Sequence, residues 1–261
     1  MTDSLEGKTP AQIRQLCRAG AWTGMTNGAA PDQYQANLAI VPLRWAEAFR
    51  RFCECNPAPC PIIDMTAPGE PEPRHAAPGA DIRTDLPRYQ HLVDGVVREE
   101  CADIRHLWRT DHVAFLLGCS FSFDGILRRA GVHLPHMDDT GHIGAYATNI
   151  ECVAVDGLHG PMICSMRPVP APLVEQVCAI SARYPLAHGA PVHVGDPAAI
   201  GVDLSEPDCA GRIPLPLPEG SVPLFWGCGV TPQLVAKLSG IEDLIVHAPG
   251  HMLVTDLRTD G

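Results

Sequence analysis

Apolar and polar positions follow one pattern at two places in the chain. Residues 113–131 read VAFLLGCSFSFDGILRRAG, and residues 222–240 read VPLFWGCGVTPQLVAKLSG. Each copy begins with an apolar run that predicts a buried strand, passes through Gly-Cys and a polar turn, and ends in an amphipathic helix that stops at glycine. Cys119 and Cys228 are therefore expected where a helix dipole lowers the pKa of a thiol. The repeat predicts two half-sites that face each other across one cleft.

Turn signals and periodicity predict the other elements. Thr9-Pro10 is typical of a helix start, and Asp94-Gly95 and Asp156-Gly157 are typical of hairpin turns. Helices are predicted at 10–19, 43–55 and 170–183, and strands at 35–41, 60–65, 89–93, 96–101, 154–155, 158–164, 192–194, 244–247 and 252–255.

The order of these elements predicts an α/β fold with two parts. Strands and helices alternate near both ends of the chain, whereas the middle carries a hairpin and one helix. We assign residues 1–135 and 205–261 to a larger α/β domain and residues 136–204 to a smaller α+β insertion.

Composition and charge narrow the function classes. The chain has 261 residues and a net charge of −11, which argues against nucleic acid and anionic membranes as partners. No apolar run is long enough to span a bilayer, and no signal peptide is recognisable, so a cytoplasmic protein is expected. The 11 cysteines are expected to be reduced thiols. Cys53, Cys55 and Cys60 lack a fourth partner for a zinc knuckle.

The polar turns of the repeat supply the first candidate site residues. Ser120 is expected either to cap the following helix or to help bind an anion, and Ser122 is expected to cap it. Thr231 with the proline after it is typical of an N-cap and first helical position. Gly229 permits close approach of the backbone, as an oxyanion-binding nest requires.

Histidines and one arginine supply the second set of candidates. His188, His193 and Asp196 lie within one ten-residue block, which leaves a His-plus-Asp acid–base pair open. His247 and His251 flank Pro-Gly after a predicted strand and are candidates as well. Residues 188 and 193 would point to opposite faces of an extended segment, so a two-histidine metal site is not expected there.

Arg167 ends an apolar strand. An arginine at such a place suits bidentate binding of a carboxylate or phosphate. The alternative is a structural ion pair, for which the acidic residues of 81–85 are the expected partners.

Several familiar motifs are missing from the sequence. It contains no G-x-S-x-G elbow, no Walker loop, no G-x-G-x-x-G after a strand and no H-E-x-x-H. Nucleotide hydrolysis, dinucleotide redox chemistry and ordinary esterase chemistry are therefore not expected.

Long motifs along nearly the whole chain resemble the bacterial family labelled "putative hydro-lyase", also called D-glutamate cyclase after a mitochondrial enzyme that contains a related region. The motifs are QANLAIVP (35–42), NPAPCPI (56–62), DIRTDLPRY (81–89), GCSFSFD (118–124), SMRP (165–168), HGAPVHVGDP (188–197), FWGCGVTPQ (225–233) and HAPGHMLVTD (247–256). The resemblance implies a three-layer α/β sandwich domain with a smaller two-layer α+β domain. It also implies a hydro-lyase reaction, such as closure of D-glutamate to 5-oxo-D-proline.

The sequence departs from the family pattern at two places. Where the family has Pro-Met-Tyr-Arg-Thr-Asn, residues 144–149 read GAYATN, which keeps Tyr146 and Asn149 as expected substrate-binding residues but puts Ala147 in place of arginine. Asp32 stands in a segment that is usually Ala-Pro-Gly-Tyr-Val-Gln. Both changes predict a less anionic or bulkier substrate than D-glutamate.

Three functions remain open on these grounds. In a water-losing lyase, His193 or His188 is expected to act as the base with Asp196 orienting it, and Arg167 to hold a carboxylate. The backbone N–H groups at 119–120 and 228–229 would hold an oxyanion. A racemase or epimerase that uses both repeat cysteines, and a non-catalytic metabolite-binding protein, are the alternatives.

Cofactors and partners are only loosely constrained. A small-molecule substrate is expected, and no cofactor is required by any motif. A divalent metal ion and a homodimer both remain open.

Overall fold

In a computed structural model, the described part of the chain forms two antiparallel sheets and five α-helices. The structure describes residues 4–137, 143–208, 211, 213 and 215–260, together with the backbone but not the side chain of residue 135. The helices are α1 (Pro10–Arg18), α2 (Leu43–Cys55), α3 (Ser122–Arg129), α4 (Val174–Ser181) and α5 (Thr231–Leu238). The strands are β1 (Gln33–Pro42), β2 (Ile62–Met65), β3 (Tyr89–Val93), β4 (Val96–Cys101), β5 (His112–Gly118), β6 (Ala145–Glu151), β7 (Pro161–Pro170), β8 (His193–Val194), β9 (Ser221–Gly227), β10 (Asp243–His247) and β11 (Leu253–Arg258).

The larger sheet is organised around β1. Its order is β2-β5-β1-β10-β3-β4, and β11 also pairs with β1, on the first residues of that long strand. The smaller sheet has the order β6-β7-β9-β8. The expected mixed α/β class with two parts is confirmed.

The expected domain boundary does not hold for β9. This strand pairs with β7 along its whole length, so it belongs to the smaller sheet, although residues 205–261 were assigned to the larger domain. The two copies of the repeated unit are thus divided between the sheets, with β5 in one and β9 in the other.

Capping and turn residues in the sequence predict several element boundaries. Thr9 caps α1 through a capping box with Gln12, and the Asp94-Gly95 turn joins β3 to β4 as expected. The turn at Asp156-Gly157 is different, because its flanking residues form only a single bridge, and the strand predicted at 158–164 begins at Pro161 as part of β7. The helix predicted at 170–183 begins as a 3-10 turn and becomes α-helical only from 174 to 181.

The apolar core lies on both faces of the larger sheet. Leu116 of β5 packs in a cluster with Phe123 of α3 and Trp226 of β9, whereas Phe115 packs on the opposite face with Phe49 of α2. Every residue of β5 is buried, as expected for a central strand covered on both faces. Among the described residues, no helix is long and apolar enough to cross a membrane.

Asp243 connects three strands at one end of the larger sheet. Its carboxylate lies 2.9 Å from Nε2 of His91 on β3 and 3.3 Å from Nε2 of His112 on β5. The hydrogen bond from His112, followed by that from His91, outweighs burial and lowers the pKa of Asp243 to about 2.

We predict that Asp243→Asn lowers the free energy of unfolding at pH 7 by about 2 kcal/mol. An unfolded aspartate titrates near pH 4, so the contribution is complete above that pH and is lost as the pH falls toward 2. Urea unfolding between pH 7 and pH 3 measures this difference, with Asp111→Asn at an exposed ion pair as the control. Equal losses in both variants would contradict the assignment.

Candidate active site

The two Gly-Cys turns share the same backbone hydrogen bonds. After β5, the N–H of Ser122 donates to the carbonyl oxygen of Cys119 at 3.0 Å. After β9, the N–H of Thr231 donates to the carbonyl oxygen of Cys228 at 2.9 Å. The sequence repeat is therefore a repeat of backbone geometry.

A hydroxyl group at the start of each helix ties that helix to a strand of its own sheet. The N–H of Gln35 on β1 donates to Oγ of Ser122 at 3.0 Å, and the N–H of Ile163 on β7 donates to Oγ1 of Thr231 at 3.0 Å. Neither α3 nor α5 has a side-chain cap. The expected capping roles of Ser122 and Thr231 are thus wrong, because each hydroxyl satisfies a strand N–H instead.

The two turns lie in direct contact. A Cβ atom on Gly229 would lie 2.1 Å from Nδ2 of Asn37 and 2.7 Å from the carbonyl oxygen of Gly118, so only glycine fits there. From the smaller sheet, Ser165 reaches the turn after β5, where its Oγ lies 3.3 Å from Oγ of Ser120. The expected facing of the two half-sites is observed, but they are packed together rather than separated by an open cleft.

The register of the strands makes this contact reciprocal. Asn37 follows the residue paired with Gly118, and Ser165 follows the residue paired with Gly227. Asn37 of the larger sheet therefore reaches the turn after β9, and Ser165 of the smaller sheet reaches the turn after β5.

Arg167 lies beneath the first turn and is fully buried. Its Nη1 donates to Oγ of Ser165 at 3.3 Å, and its Nη2 donates to Oγ of Ser120 at 3.2 Å. Its Nε lies 3.4 Å from Oδ1 of Asp124, and its guanidinium carbon lies 4.3 Å from the ring centroid of Phe123. No part of the guanidinium is exposed to bind a substrate carboxylate directly, which was its expected role.

The ion pair of Arg167 also differs from the expected alternative. Within 81–85, Asp81 pairs with Arg83 and Asp85 pairs with Arg18. Burial lowers the pKa of Arg167, and the nearby carboxylate of Asp124 opposes this effect.

Asp124 and His136 form a His–Asp pair that the sequence did not reveal. Nε2 of His136 lies 3.1 Å from Oδ2 of Asp124, and both side chains are largely buried. Burial disfavours the carboxylate, but Arg167 and His136 outweigh it, so the pKa of Asp124 is lowered. Asp124 is therefore ionised at neutral pH.

This pair lines a cavity of about 90 Å³ between α3 and the loop that precedes β1. Four polar atoms in its buried walls have no hydrogen-bond partner among the described residues, namely Oε1 of Gln35, Oδ1 of Asp124, and Nδ1 and Nε2 of His136, the last of which is in ion-pair contact with Asp124. The lining residues are Asn27, Gly28, Ala29, Ala30, Pro31, Gln33, Gln35, Phe121, Asp124, Gly125, Arg128, His136 and Met137.

The thiols of the two turns are not activated. Burial raises the pKa of Cys119 to about 12, although the N–H of Phe121 and the charge of Arg167 favour the thiolate. Burial likewise raises the pKa of Cys228, against the effect of the N–H of Val230. The expectation of a lowered thiol pKa is wrong, because the loss of hydration exceeds the stabilisation that the helix start provides.

His188 lies close to the first Gly-Cys turn and to Arg167. It adopts a left-handed conformation with φ 75°, and its Nδ1 donates to the carbonyl oxygen of Ala58 at 2.8 Å. Burial lowers its pKa to about 4, although the carbonyls of Ala58 and Gly118 favour the charged form. His188 is therefore a neutral, buried histidine close to Arg167.

The other histidine block does not form the expected pair. Nε2 of His193 donates to the backbone carbonyl of Asp196 at 2.8 Å, not to its carboxylate. That carboxylate instead caps a short 3-10 helix by accepting the N–H of Ala198 at 3.0 Å. The His193–Asp196 carboxylate contact expected for acid–base chemistry is thus absent from this described segment.

His247 and His251 also lie apart from the cavity walls. Nδ1 of His247 accepts the N–H of Leu38 at 3.2 Å and contacts Nε2 of Gln233 at 2.9 Å. Burial lowers the pKa of His247 to about 4. His251 contacts the carbonyl of Pro249 within its own turn.

Two expected substrate-binding residues have local roles in the smaller sheet. The hydroxyl of Tyr146 donates to the carbonyl of Leu204 at 3.1 Å. Asn149 is exposed and lies beside Gly201.

No group of three potential metal-ligating side chains was found among the residues that the structure describes. The backbone donors expected to hold an oxyanion are only partly available, because the N–H of Cys228 donates to the carbonyl of Ile163 at 2.9 Å.

Residues 113–256 match the family described as D-glutamate cyclase. A "Putative hydro-lyase" of Stutzerimonas stutzeri is 51% identical over 253 residues, which cover 97% of this chain and 95% of that protein. A "Putative hydro-lyase" of Bacillus subtilis is 44% identical over 252 residues, which cover 96% of this chain and 97% of that protein. This chain belongs to the D-glutamate cyclase family. The resemblance carried by the motifs is confirmed.

Among solved structures, a nitrogen repressor-like protein from Methanococcus jannaschii aligns with 95% of this chain at 13% identity and a TM-score of 0.39. A likeness this distant says nothing about the ligand or activity of this member of the D-glutamate cyclase family.

Several residues of the site in this family member are not predicted from the sequence. Asp124 and Ser165 lie inside two of the family motifs, beside residues that are expected to form the site. Gln35 and Asn37 lie on a mostly apolar strand, and two buried amides on such a strand are an available signal. His136 had no signal, since its partner lies twelve residues away across a turn.

We predict that the repeat cysteines react slowly with alkylating agents. Iodoacetamide at neutral pH should modify the exposed Cys55 well before Cys119, because the reagent attacks the thiolate and Cys119 stays protonated. Peptide mass spectrometry of the folded and the urea-unfolded protein measures both rates. Equal rates at Cys55 and Cys119 in the folded protein would show an activated thiol and contradict this prediction.

Proposed function

We propose that this chain is a lyase that removes water from a small amino or hydroxy acid, by dehydrative cyclisation or by β-elimination. Membership of the D-glutamate cyclase family supports the reaction class. The observation that carries the proposal is the His136–Asp124 pair in the wall of a small cavity, backed by the buried Arg167.

His136 acts as the general base. The carboxylate of Asp124 beside Nε2 favours the tautomer that has its proton on Nε2, which leaves the lone pair on Nδ1. Nδ1 is buried and has no partner among the described residues, so it is available to a bound substrate. A base in this setting contributes about 10²–10⁴ in rate.

Arg167 is a positioning residue. It does not line the cavity, but it pairs with Asp124 and keeps that carboxylate ionised when burial would favour the neutral acid. An ionised Asp124 in turn orients His136 and stabilises its protonated form during the reaction.

Either form of water loss needs one base and one proton donor. In cyclisation, the amine nitrogen bonds to the carboxyl carbon and loses a proton to Nδ1 of His136, and the carboxyl hydroxyl departs with that proton as water. In β-elimination, Nδ1 takes a carbon-bound proton, a double bond forms, and the hydroxyl leaves as water. The imidazolium returns the proton in both cases, so no other reactant is consumed.

The substrate is proposed to differ from D-glutamate. Ala147 pairs with Ile163 in the register of β6 and β7, which puts it on the same face of the smaller sheet as Ser165 and Arg167. The family pattern has arginine at this position, so this chain lacks one cation on the face that carries the ion pair. Asp32 gives no such support, because it is exposed and paired with Arg129.

The racemase alternative is less well supported. A two-base exchange between Cys119 and Cys228 needs one thiolate near neutral pH, whereas burial raises the pKa of both thiols. A binding protein without catalysis would need no His–Asp pair in its cavity wall.

We predict that His136→Ala lowers kcat by about 10²–10⁴ without a comparable change in thermal midpoint. The wild-type protein is first screened against D- and L-amino acids and 2-hydroxy acids, and loss of one water is followed by mass spectrometry. The variant is then tested on the substrate that reacts.

His106→Ala is the matched control, since His106 is exposed and pairs with Glu99 at the surface. It should keep wild-type activity. Full activity in His136→Ala, or no water loss from any acid in the screen, would sink the proposal.

A further inference from the structure

Gln35 carries a fixed, unpaired acceptor and lines the cavity. Its Nε2 donates to the carbonyl oxygens of Thr26 at 2.7 Å and Ala29 at 2.9 Å. Both amide hydrogens are thus used, so the orientation of the amide is set and Oε1 faces away from these carbonyls. Oε1 is buried, has no partner among the described residues, and belongs to a residue that lines the cavity.

A buried acceptor of this kind discriminates among ligands. A ligand that brings an N–H or O–H group completes the hydrogen bond, whereas a ligand that brings a carbonyl oxygen leaves two acceptors facing each other without a proton. Sites built around such a group reject analogues that lack the donor far more strongly than apolar pockets do.

The wall of the cavity also carries a cation. Arg128 lies one helical turn after Asp124 on α3, and both line the cavity. Arg128 is exposed and donates to the carbonyl oxygen of Met137 at 3.0 Å, which leaves further N–H groups of the guanidinium for an anion. A carboxylate is the natural partner at this rim.

Gln35 and Arg128 line the same small cavity, which has a volume of about 90 Å³. In an acid whose carboxylate lies against Arg128, the group on C2 is the substituent nearest to that carboxylate. This group is therefore the donor that we expect Gln35 to recognise.

We propose that Gln35 is a specificity-determining residue that accepts a hydrogen bond from the group on C2 of the ligand, so that the cavity binds 2-amino or 2-hydroxy acids and rejects 2-oxo acids. The carboxylate of the ligand then lies against Arg128. This inference rests on the proposed function for the identification of the cavity as the place where the substrate binds, and it adds which end of the acid each wall recognises.

Matched sets of three acids test this inference by equilibrium binding, without any turnover. Calorimetry compares alanine, lactate and pyruvate; leucine and its 2-hydroxy and 2-oxo analogues; and glutamate, 2-hydroxyglutarate and 2-oxoglutarate, with both enantiomers where they exist. In at least one set the amino or hydroxy acid should bind at least about tenfold more tightly than the oxo acid. Equal binding of the oxo acids, or no binding in any set, overturns the inference.

Gln35→Met removes the acceptor and should abolish the preference for the amino or hydroxy acid. Gln90→Met is the control, because Gln90 lies on another strand of the same sheet and does not line the cavity. It should keep the preference. Should Gln35→Met fail to fold after losing its bonds to Thr26 and Ala29, the wild-type sets still decide the question.

Arg128→Gln tests the proposed contact with the carboxylate, with Arg129→Gln as the control on the same helix. The first variant should weaken binding of the acid at least about tenfold and leave weak binding of the corresponding amide unchanged. Unchanged binding of the acid by Arg128→Gln overturns this part of the proposal.

The two proposals fail in different experiments. Preferential binding of amino or hydroxy acids without any water loss would sink the proposed function alone. Dehydration of a substrate that has no donor on C2 would sink the role of Gln35 alone.

Discussion

The buried ion pair between Arg167 and Asp124 is the interaction on which the site depends. A fully buried guanidinium is costly unless its charge and its N–H groups are matched, and removal of one partner of such a pair typically costs about 3–5 kcal/mol. Asp124 supplies the charge, and the hydroxyl groups of Ser120 and Ser165 accept two hydrogen bonds from the guanidinium, whose Nε has no hydrogen-bond partner among the described residues. Because these partners come from α3, from the first turn and from β7, the pair fixes the two sheets relative to each other where the repeats meet.

The fold could be predicted from sequence wherever a local rule decides the outcome. Helix α2 and the hairpin of β3 and β4 lie where periodicity and Asp-Gly placed them, because apolar spacing and a left-handed turn are properties of short segments. The assignment of β9 to a sheet was not predictable in this way, since its apolar run suits either sheet. Only its pairing with β7, which lies more than fifty residues earlier, decides it.

The site was predictable to a similar degree. The repeat correctly indicated that Cys119 and Cys228 belong to facing turns, because a repeated sequence produces a repeated backbone. It did not indicate the chemical state of the thiols, which depends on burial by distant segments. The sequence also suggested a His–Asp pair, but proximity along the chain pointed to His193 and Asp196. The observed pair joins Asp124 on α3 to a histidine beyond the end of that helix.

A comparison of the two copies of the repeat shows why only one half of the site carries a charge. Asp124 lies five residues after Cys119, and the same place after Cys228 is occupied by Gln233. Gln233 is neutral, and its Nε2 contacts both the carbonyl of Leu38 and Nδ1 of His247. A second carboxylate there would face the acceptor atoms that Gln233 now satisfies, with no second buried arginine described beside it. The repeated sequence therefore gives two turns with the same backbone geometry. Because one carries aspartate and the other glutamine, only the turn after β5 has an ionised group beside a cavity.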